Sequence, residues 1–329
     1  MLGGPSKDYF LGGSGNDQLS GGDNDDNLAG GADADSLDGG AGANTLWGVD
    51  ATTPFADDNA ADTLAGGVDN DTYVVGTGDT VIGETGGTDR VLLGGTLDAY
   101  TLGAGLENLG FANGGSAIGG TLAGNGEANS IAGAGGNDSL VGAAGNDTLS
   151  GGAANDTLAG GAGNDSLVGG TGTDFADYSA NGAGQGISAP GFGTVNDGQG
   201  GTYAISSIEG LIGGAGNDTV IGFATVSGGA GEDVLTSPVG AASLVGGAGN
   251  DQLSGGVSGN DTLDGGADND TILGNGGDDQ LAGGTGNDNV QGGLGNDLLD
   301  GDDGNDALDG GTGADSIAGG DGADTLYGV

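Results

Sequence analysis

One apolar residue recurs every nine positions along most of this 329-residue chain, and about half of what lies between is glycine, asparagine or aspartate. In GGAGNDSLV (160–168) the recurring residue is Leu167, two places after Asp165. Numbering the glycine pair 1 and 2 puts the acid at position 6 and the apolar residue at position 8. From Gly3, position 8 reads Phe10, Leu19, Leu28, Leu37 and Leu46. Counting on by nine continues it through Phe55, Leu64, Tyr73, Ile82, Val91, Tyr100, Leu109 and Ile118. The pattern resumes at Gly124, with Ile131, Leu140, Leu149, Leu158, Leu167 and Ala176. It restarts at Gly213 and is strict from Gly265 to Tyr327, through Ile272, Leu281, Val290, Leu299, Leu308, Ile317 and Leu326.

This period predicts short strands and tight turns. Six residues of Gly, Asn and Asp make a turn, and three around one apolar side chain make a short strand. Each unit is then half a coil, and eighteen residues bring the chain back to its starting side. The fold class expected is all-β: a parallel β-roll, that is, a two-sheet right-handed β-solenoid with position 8 facing inward from both sheets. Four segments follow: a ladder over 3–119 with a degenerate middle, central repeats over 124–177, an aromatic-bearing insertion over 178–212, and C-terminal repeats over 213–329.

Composition alone would suggest disorder, since 87 residues are glycine and 48 acids face two bases, for a net charge of −46. A disordered linker has no cause to hold a phase, so the period overrides that reading. The charge argues against nucleic acid and anionic membrane surfaces and favours cations as partners. Without cysteine there are no disulfides or thiolate metal sites, which suits an exported protein. No apolar run is long enough for a transmembrane helix. Met1-Leu2 runs straight into Gly3-Gly4, so no Sec-type signal is expected at the start.

One buried leucine in nine residues cannot by itself offset the ordering of the other eight. The acid at position 6 supplies the missing term. Turns eighteen residues apart stack at about 4.8 Å, where bare carboxylates repel. A hard divalent cation between them reverses the sign. Ca²⁺ takes 6–8 oxygens at about 2.3–2.6 Å from carboxylates and backbone carbonyls, and glycine turns can aim carbonyls inward. Zinc or copper would call for His or Cys, and the chain has neither.

These repeats resemble the RTX family, the haemolysin-type calcium-binding nonapeptides, in GGSGNDQLS (12–20), GGAGNDTVI (213–221), GGAGNDQLS (246–254) and GGTGNDNVQ (283–291). The resemblance implies a parallel β-roll with Ca²⁺ between same-side turns, type I secretion and calcium-driven folding outside the cell. Carried onto this chain, it makes metal ligands of Asp8, Asp17, Asp26 and Asp35, of Asp138, Asp147, Asp156, Asp165 and Asp174, and of Asp233, Asp251 and Asp261. It does the same for Asp270, Asp279, Asp288, Asp297, Asp306, Asp315 and Asp324. Pairing acids about eighteen apart gives about 14 candidate sites, with Asp71/Asp89 a weaker one because its turns lack the glycine pattern. Asn44, Asn129 and Ala242 occupy position 6 and should weaken their sites; Glu107 and Glu209 read as structural. Residues 66–118 are expected to be metal-poor coils held by packing.

No catalytic residues are expected, because serine and aspartate have no histidine to work with and the acids are spaced as a metal ladder. RTX repeats are often appended to secreted enzymes and toxins, or used in adhesion and ice binding. A calcium-binding module of such a protein is the alternative; position 3 is mostly Ala, so no rank of Thr forms. The favoured expectation is an extracellular or cell-surface structural protein that self-associates end to end, as a filament or surface layer, since both ends of the chain are repeats without evident caps.

Overall fold

A computed structural model describes residues 1–49, 56–112, 119–191, 193–238 and 240–328. Phe55 and Ile118, expected in the core, lie outside the described residues. Among the described residues every regular element is a β-strand, and no helix is long and apolar enough to cross a membrane. The chain divides into two compact units, Met1–Gly172 and Thr173–Val329. Each is a β-solenoid of parallel strands, as the period predicts.

In the first unit, strands alternate between two faces. One face runs Tyr9–Ser14, Asn27–Ala32, Thr45–Trp47, Thr72–Val75, Arg90–Leu93, Asn108–Phe111, Ser130–Gly135, Thr148–Ala153 and Ser166–Thr171, all parallel. The other face is in two parts. Gln18–Gly22, Ser36–Gly40, Thr63–Gly67 and Thr80–Val81 form one, and Ala99–Thr101, Thr121–Ala123, Ser139–Ala144 and Thr157–Ala162 belong to the other. Position 8 stacks on position 8, as in Phe10↔Leu28 and Leu140↔Leu158. Leu28, Leu140, Leu149 and Leu158 are fully buried.

Where the repeat is strict, the strand has six residues rather than three, as in Ser139–Ala144. The glycine pair belongs to it. Strand alternation puts position 1 on the inner face beside the leucine, where a side chain would not fit. Gly152, Gly161 and Gly170, at position 2, take φ of 113°, 99° and 122°, which bends the chain into the next turn at no steric cost.

The degenerate middle departs from the counted register. Leu37 stacks on Leu64 and Leu46 on Tyr73, a step of 27 residues, so one unit's length of chain is passed over. Leu64 then stacks on Val81, not Ile82. Ile82, expected in the core, is 47% exposed. A slip of one residue moves a strand side chain to the opposite face, and the pairing of Leu64 with Val81 fixes which one turns in.

In the second unit one face runs Thr219–Ile221, Val234–Thr236, Gln252–Ser254, Thr271–Gly276, Asn289–Leu294, Ala307–Thr312 and Thr325–Tyr327. The opposite face runs Phe175–Asp177, Gly210–Ile212, Thr225–Ala230, Ser243–Ala248, Thr262–Ala267, Gln280–Thr285, Leu298–Asp303 and Ser316–Ala318. The short unit at 222–227 gives a step of 15 (Val220↔Leu235), and the extra residue in 255–264 a step of 19 (Leu244↔Leu263). Turns absorb both changes while the core stack continues. Within the insertion, Thr194–Asn196 and Thr202–Ser206 pair antiparallel, and Ser188–Ala189 pairs parallel with Thr219–Ile221. Val195 and Tyr203 are buried, and the Tyr178 and Tyr203 ring centroids are 5.1 Å apart.

Candidate metal centres

The position-6 acids sit in the turn just before each strand, and their two oxygens have different surroundings. One oxygen holds the coils in register. Asp156 Oδ1 accepts the backbone N–H of Asp138 at 2.8 Å, and Asp165 Oδ1 that of Asp147 at 2.7 Å. The second unit repeats this with Asp261 N–H to Asp279 Oδ1 (2.8 Å), Asp270 to Asp288 (2.8 Å), Asp279 to Asp297 (2.9 Å) and Asp288 to Asp306 (2.9 Å). The other oxygen, Oδ2, is buried without a hydrogen-bond partner in Asp26, Asp35, Asp138, Asp147, Asp233, Asp251, Asp270, Asp279, Asp288, Asp297 and Asp306. A buried carboxylate oxygen without a donor is costly, so a periodic row of them calls for a counter-charge.

The position-1 glycine shows where that charge fits. A Cβ built on Gly274 would lie 2.5 Å from Asp279 Oδ2 and 2.6 Å from the carbonyl oxygen of Gly292, one coil further on. On Gly301 it would lie 2.5 Å from both Asp306 Oδ2 and Gly319 O, and on Gly283 2.5 Å from Asp288 Oδ2 and 2.9 Å from Gly301 O. The missing side chain leaves a space in which a carboxylate and a carbonyl from successive same-side coils converge. The oxygens that meet there are all hard donors, the kind Ca²⁺ takes. The residues therefore fit Ca²⁺.

Burial also raises the acids' pKa values. It pushes Asp233 and Asp270 up to about 7, and Asp138 and Asp251 up to about 6, against the opposing effect of the amide bond each accepts. Neighbouring acids add to the rise, Asp218 and Asp251 at Asp233, and Asp251 and Asp288 at Asp270.

The structure joins most of the expected pairs by this amide-to-carboxylate bond. In the first unit these include Asp8 with Asp26 (2.8 Å) and Asp17 with Asp35 (2.7 Å). In the second they include Asp233 with Asp251, Asp251 with Asp270, Asp297 with Asp315 and Asp306 with Asp324. Asp174 is fully buried, and its amide donates to Glu209 at 2.9 Å, 35 residues on. Asp71 and Asp89 are joined in the same way at 2.7 Å. Glu107 takes the equivalent position above Asp89.

Three ladder members were not evident in the repeat spacing. Asp62 Oδ1 accepts from Asp35, and Asp79 Oδ1 from Asp62, across steps of 27 and 17. Asp218 donates to Asp233 across a step of 15. Asp218 had a usable signal in its GGAGND turn, and Asp62 falls on position 6 by count, but neither has an acid eighteen residues away in register. Asp79 had none.

The exceptions at position 6 have a physical reason. Asn44 Oδ1 still accepts the Asp26 amide at 2.8 Å, but its Nδ2 donates to Gly42 O at 2.9 Å and Gly66 O at 3.3 Å. Asn129 Nδ2 likewise donates to Leu106 O at 3.1 Å. At Asn44 the amide puts a neutral donor against the Gly66 carbonyl that a cation would otherwise take, whereas at Asn129 an uncharged Oδ1 faces Gly142 O where a carboxylate stands elsewhere. Ala242 offers no oxygen, though its N–H still bonds Asp261 Oδ1.

A sequence model of the RTX calcium-binding nonapeptide repeat matches residues 2–49, 115–176, 211–224 and 240–328 in overlapping copies, which is more than half of the chain. The chain belongs to the RTX calcium-binding repeat family. Its turns and strands are accordingly a calcium-binding β-roll. No curated protein is similar enough to be matched to it. Residues 50–114 lie outside the matched RTX repeats and coincide with the part of the first unit where the register steps by 27 and then by 17.

If the position-1 glycine is the ion's cradle, Gly274→Ala should remove one Ca²⁺ site and destabilise the calcium-bound fold by about 1–3 kcal/mol, as overpacking does. Gly4→Ala is the control. Nothing lies within 4 Å of a Cβ there and its φ is not positive, so the change should stay within about 0.5 kcal/mol. Thermal melting of both variants at one fixed calcium concentration checks this; equal melting temperatures would refute the cradle.

Proposed function

We propose that this protein is a secreted structural β-roll that folds on Ca²⁺ outside the cell and self-associates into a filament or surface layer. The observation that carries it is the row of buried, unpartnered Oδ2 atoms facing glycine carbonyls across successive coils. Such a chain repels itself when calcium is scarce and closes up when calcium is plentiful. That behaviour suits export through a type I channel as an extended chain, with folding on arrival. A structural role is favoured over catalysis because the buried ladder acids are bonded to their neighbours' amides, and the sequence holds no histidine or cysteine to act as base or nucleophile. Self-association is favoured by the architecture, since parallel coils present amide and carbonyl edges along which a further coil can pair.

Negative-stain electron microscopy of the purified chain, with millimolar Ca²⁺ and with a chelator, tests this. Long fibres in calcium that are lost on chelation are the expected result. Single short particles at every calcium concentration would refute self-assembly and leave a calcium-binding module whose partner must be sought.

A further inference from the structure

The segment between the matched repeats holds a cluster of acids unlike those of the ladder. Asp71 lies before the strand Thr72–Val75 and Asp89 before Arg90–Leu93, and these strands pair with Tyr73 over Val91. Glu84 follows the short strand Thr80–Val81 of the opposite face. One oxygen from each of the three carboxylates falls within 4.8 Å of the other two. That span is about twice a Ca²⁺–oxygen bond of about 2.4 Å, so a small inward movement of the side chains lets one ion bind all three.

Each carboxylate is held by one oxygen and free at the other. Asp71 Oδ1 accepts the Asn44 N–H at 2.7 Å, and Asp89 Oδ1 the Asp71 N–H at 2.7 Å. Glu84 Oε1 accepts from Gly66 N at 3.2 Å and from the Tyr73 hydroxyl. The remaining oxygens, Asp71 Oδ2, Asp89 Oδ2 and Glu84 Oε2, are buried and have no partner. Asp71 is 1% exposed and Asp89 0%, so bulk water does not solvate them. Arg90, adjacent in the chain, is exposed.

We propose that Asp71, Glu84 and Asp89 form a Ca²⁺ site built differently from the ladder sites. In the ladder, the atoms nearest a Cβ on the position-1 glycine include the next coil's glycine carbonyl. At Gly66 they are the Tyr73 hydroxyl oxygen and the carboxylate of Asp71. Glu84 supplies from its side chain the oxygen that a glycine carbonyl supplies elsewhere, and Tyr73, fully buried, is its positioning residue. A closed pocket of three carboxylates suits Ca²⁺ over Mg²⁺, which keeps several waters. The site explains how coils without the glycine pattern can stay in register with the repeats before them.

Tb³⁺ in place of Ca²⁺ reports on this site, because the Tyr73 ring touches a ligand and sensitises Tb³⁺ emission. The component present in the wild-type chain and absent from Tyr73→Phe belongs to this site. Glu84→Gln should weaken Tb³⁺ binding in that component at least ~10–100-fold, the range seen even for groups outside the coordination sphere. Asp279→Asn, in the ladder, should leave it unchanged. Excess Ca²⁺ should displace it in the wild type, and equal Mg²⁺ should not. Full retention of the component in Glu84→Gln, its absence from the wild type, or displacement by Mg²⁺ as readily as by Ca²⁺ would overturn the proposal. Should Glu84→Gln fail to reach the wild-type circular dichroism in calcium, the wild-type competition decides. None of these readouts depends on filament formation.

Discussion

Chelating Ca²⁺ at neutral pH is expected to abolish most of the β-sheet circular dichroism of this chain, and restoring Ca²⁺ to bring it back. The reason lies in the spacing of the buried charges. In the strict repeats Asp270, Asp279, Asp288, Asp297 and Asp306 follow one another through the coils, each buried and each with an Oδ2 that has no partner. A buried charge left uncompensated costs several kcal/mol after relaxation. Domains are stable by about 5–15 kcal/mol in total. Two or three uncompensated carboxylates therefore outweigh the stability of an ordinary domain, and the ladder holds many more. The inward leucines cannot make up the difference at one per nine residues, and the backbone bonds of the coils form only once the turns have closed. A chain that kept its full β signal in excess chelator at pH 7 would show that packing and amide ladders suffice, and that the buried acids need no ion.

Much of this was legible in the sequence because each unit spells out its own geometry. Leu140, Leu149, Leu158 and Leu167 repeat at nine, and all four are fully buried. Asp138, Asp147, Asp156 and Asp165 repeat with them and are buried too. Counting failed where strand pairing, not chain length, decides which residues meet. Leu64 stacks on Leu37 because a strand pairs with whichever strand of the same face is next, however much chain lies between. The count then carried Ile82 to the core, while the pairing put Val81 opposite Leu64. The same blindness hid Asp62 and Asp218, whose partners lie at steps of 27 and 15. Glu84 was out of reach for a different reason. It comes from the opposite face, and only the closed coil brings it to Asp71 and Asp89.

Acid should do part of the work of calcium. Burial pushes Asp233 and Asp270 from an ordinary value of 3.8 up to about 7, and Asp138 and Asp251 up to about 6. In the folded chain without Ca²⁺, these groups keep their protons at a pH where the unfolded chain has released them. The folded state then binds more protons between about pH 4 and pH 7, so its stability falls as pH rises through that window. Lowering the pH of the chelated chain from 7 towards 4 is therefore expected to recover β-sheet signal, opposite in sign to ordinary acid denaturation. Calcium affinity should move the other way. An ion must displace those protons, so the calcium concentration needed for half-folding should rise steadily below about pH 6–7. Circular dichroism of the chelated chain across this range, paired with calcium titrations at each pH, measures both. Loss of structure on acidification, or a calcium midpoint that does not move with pH, would mean that the ladder carboxylates ionise in the fold as freely as they do in water.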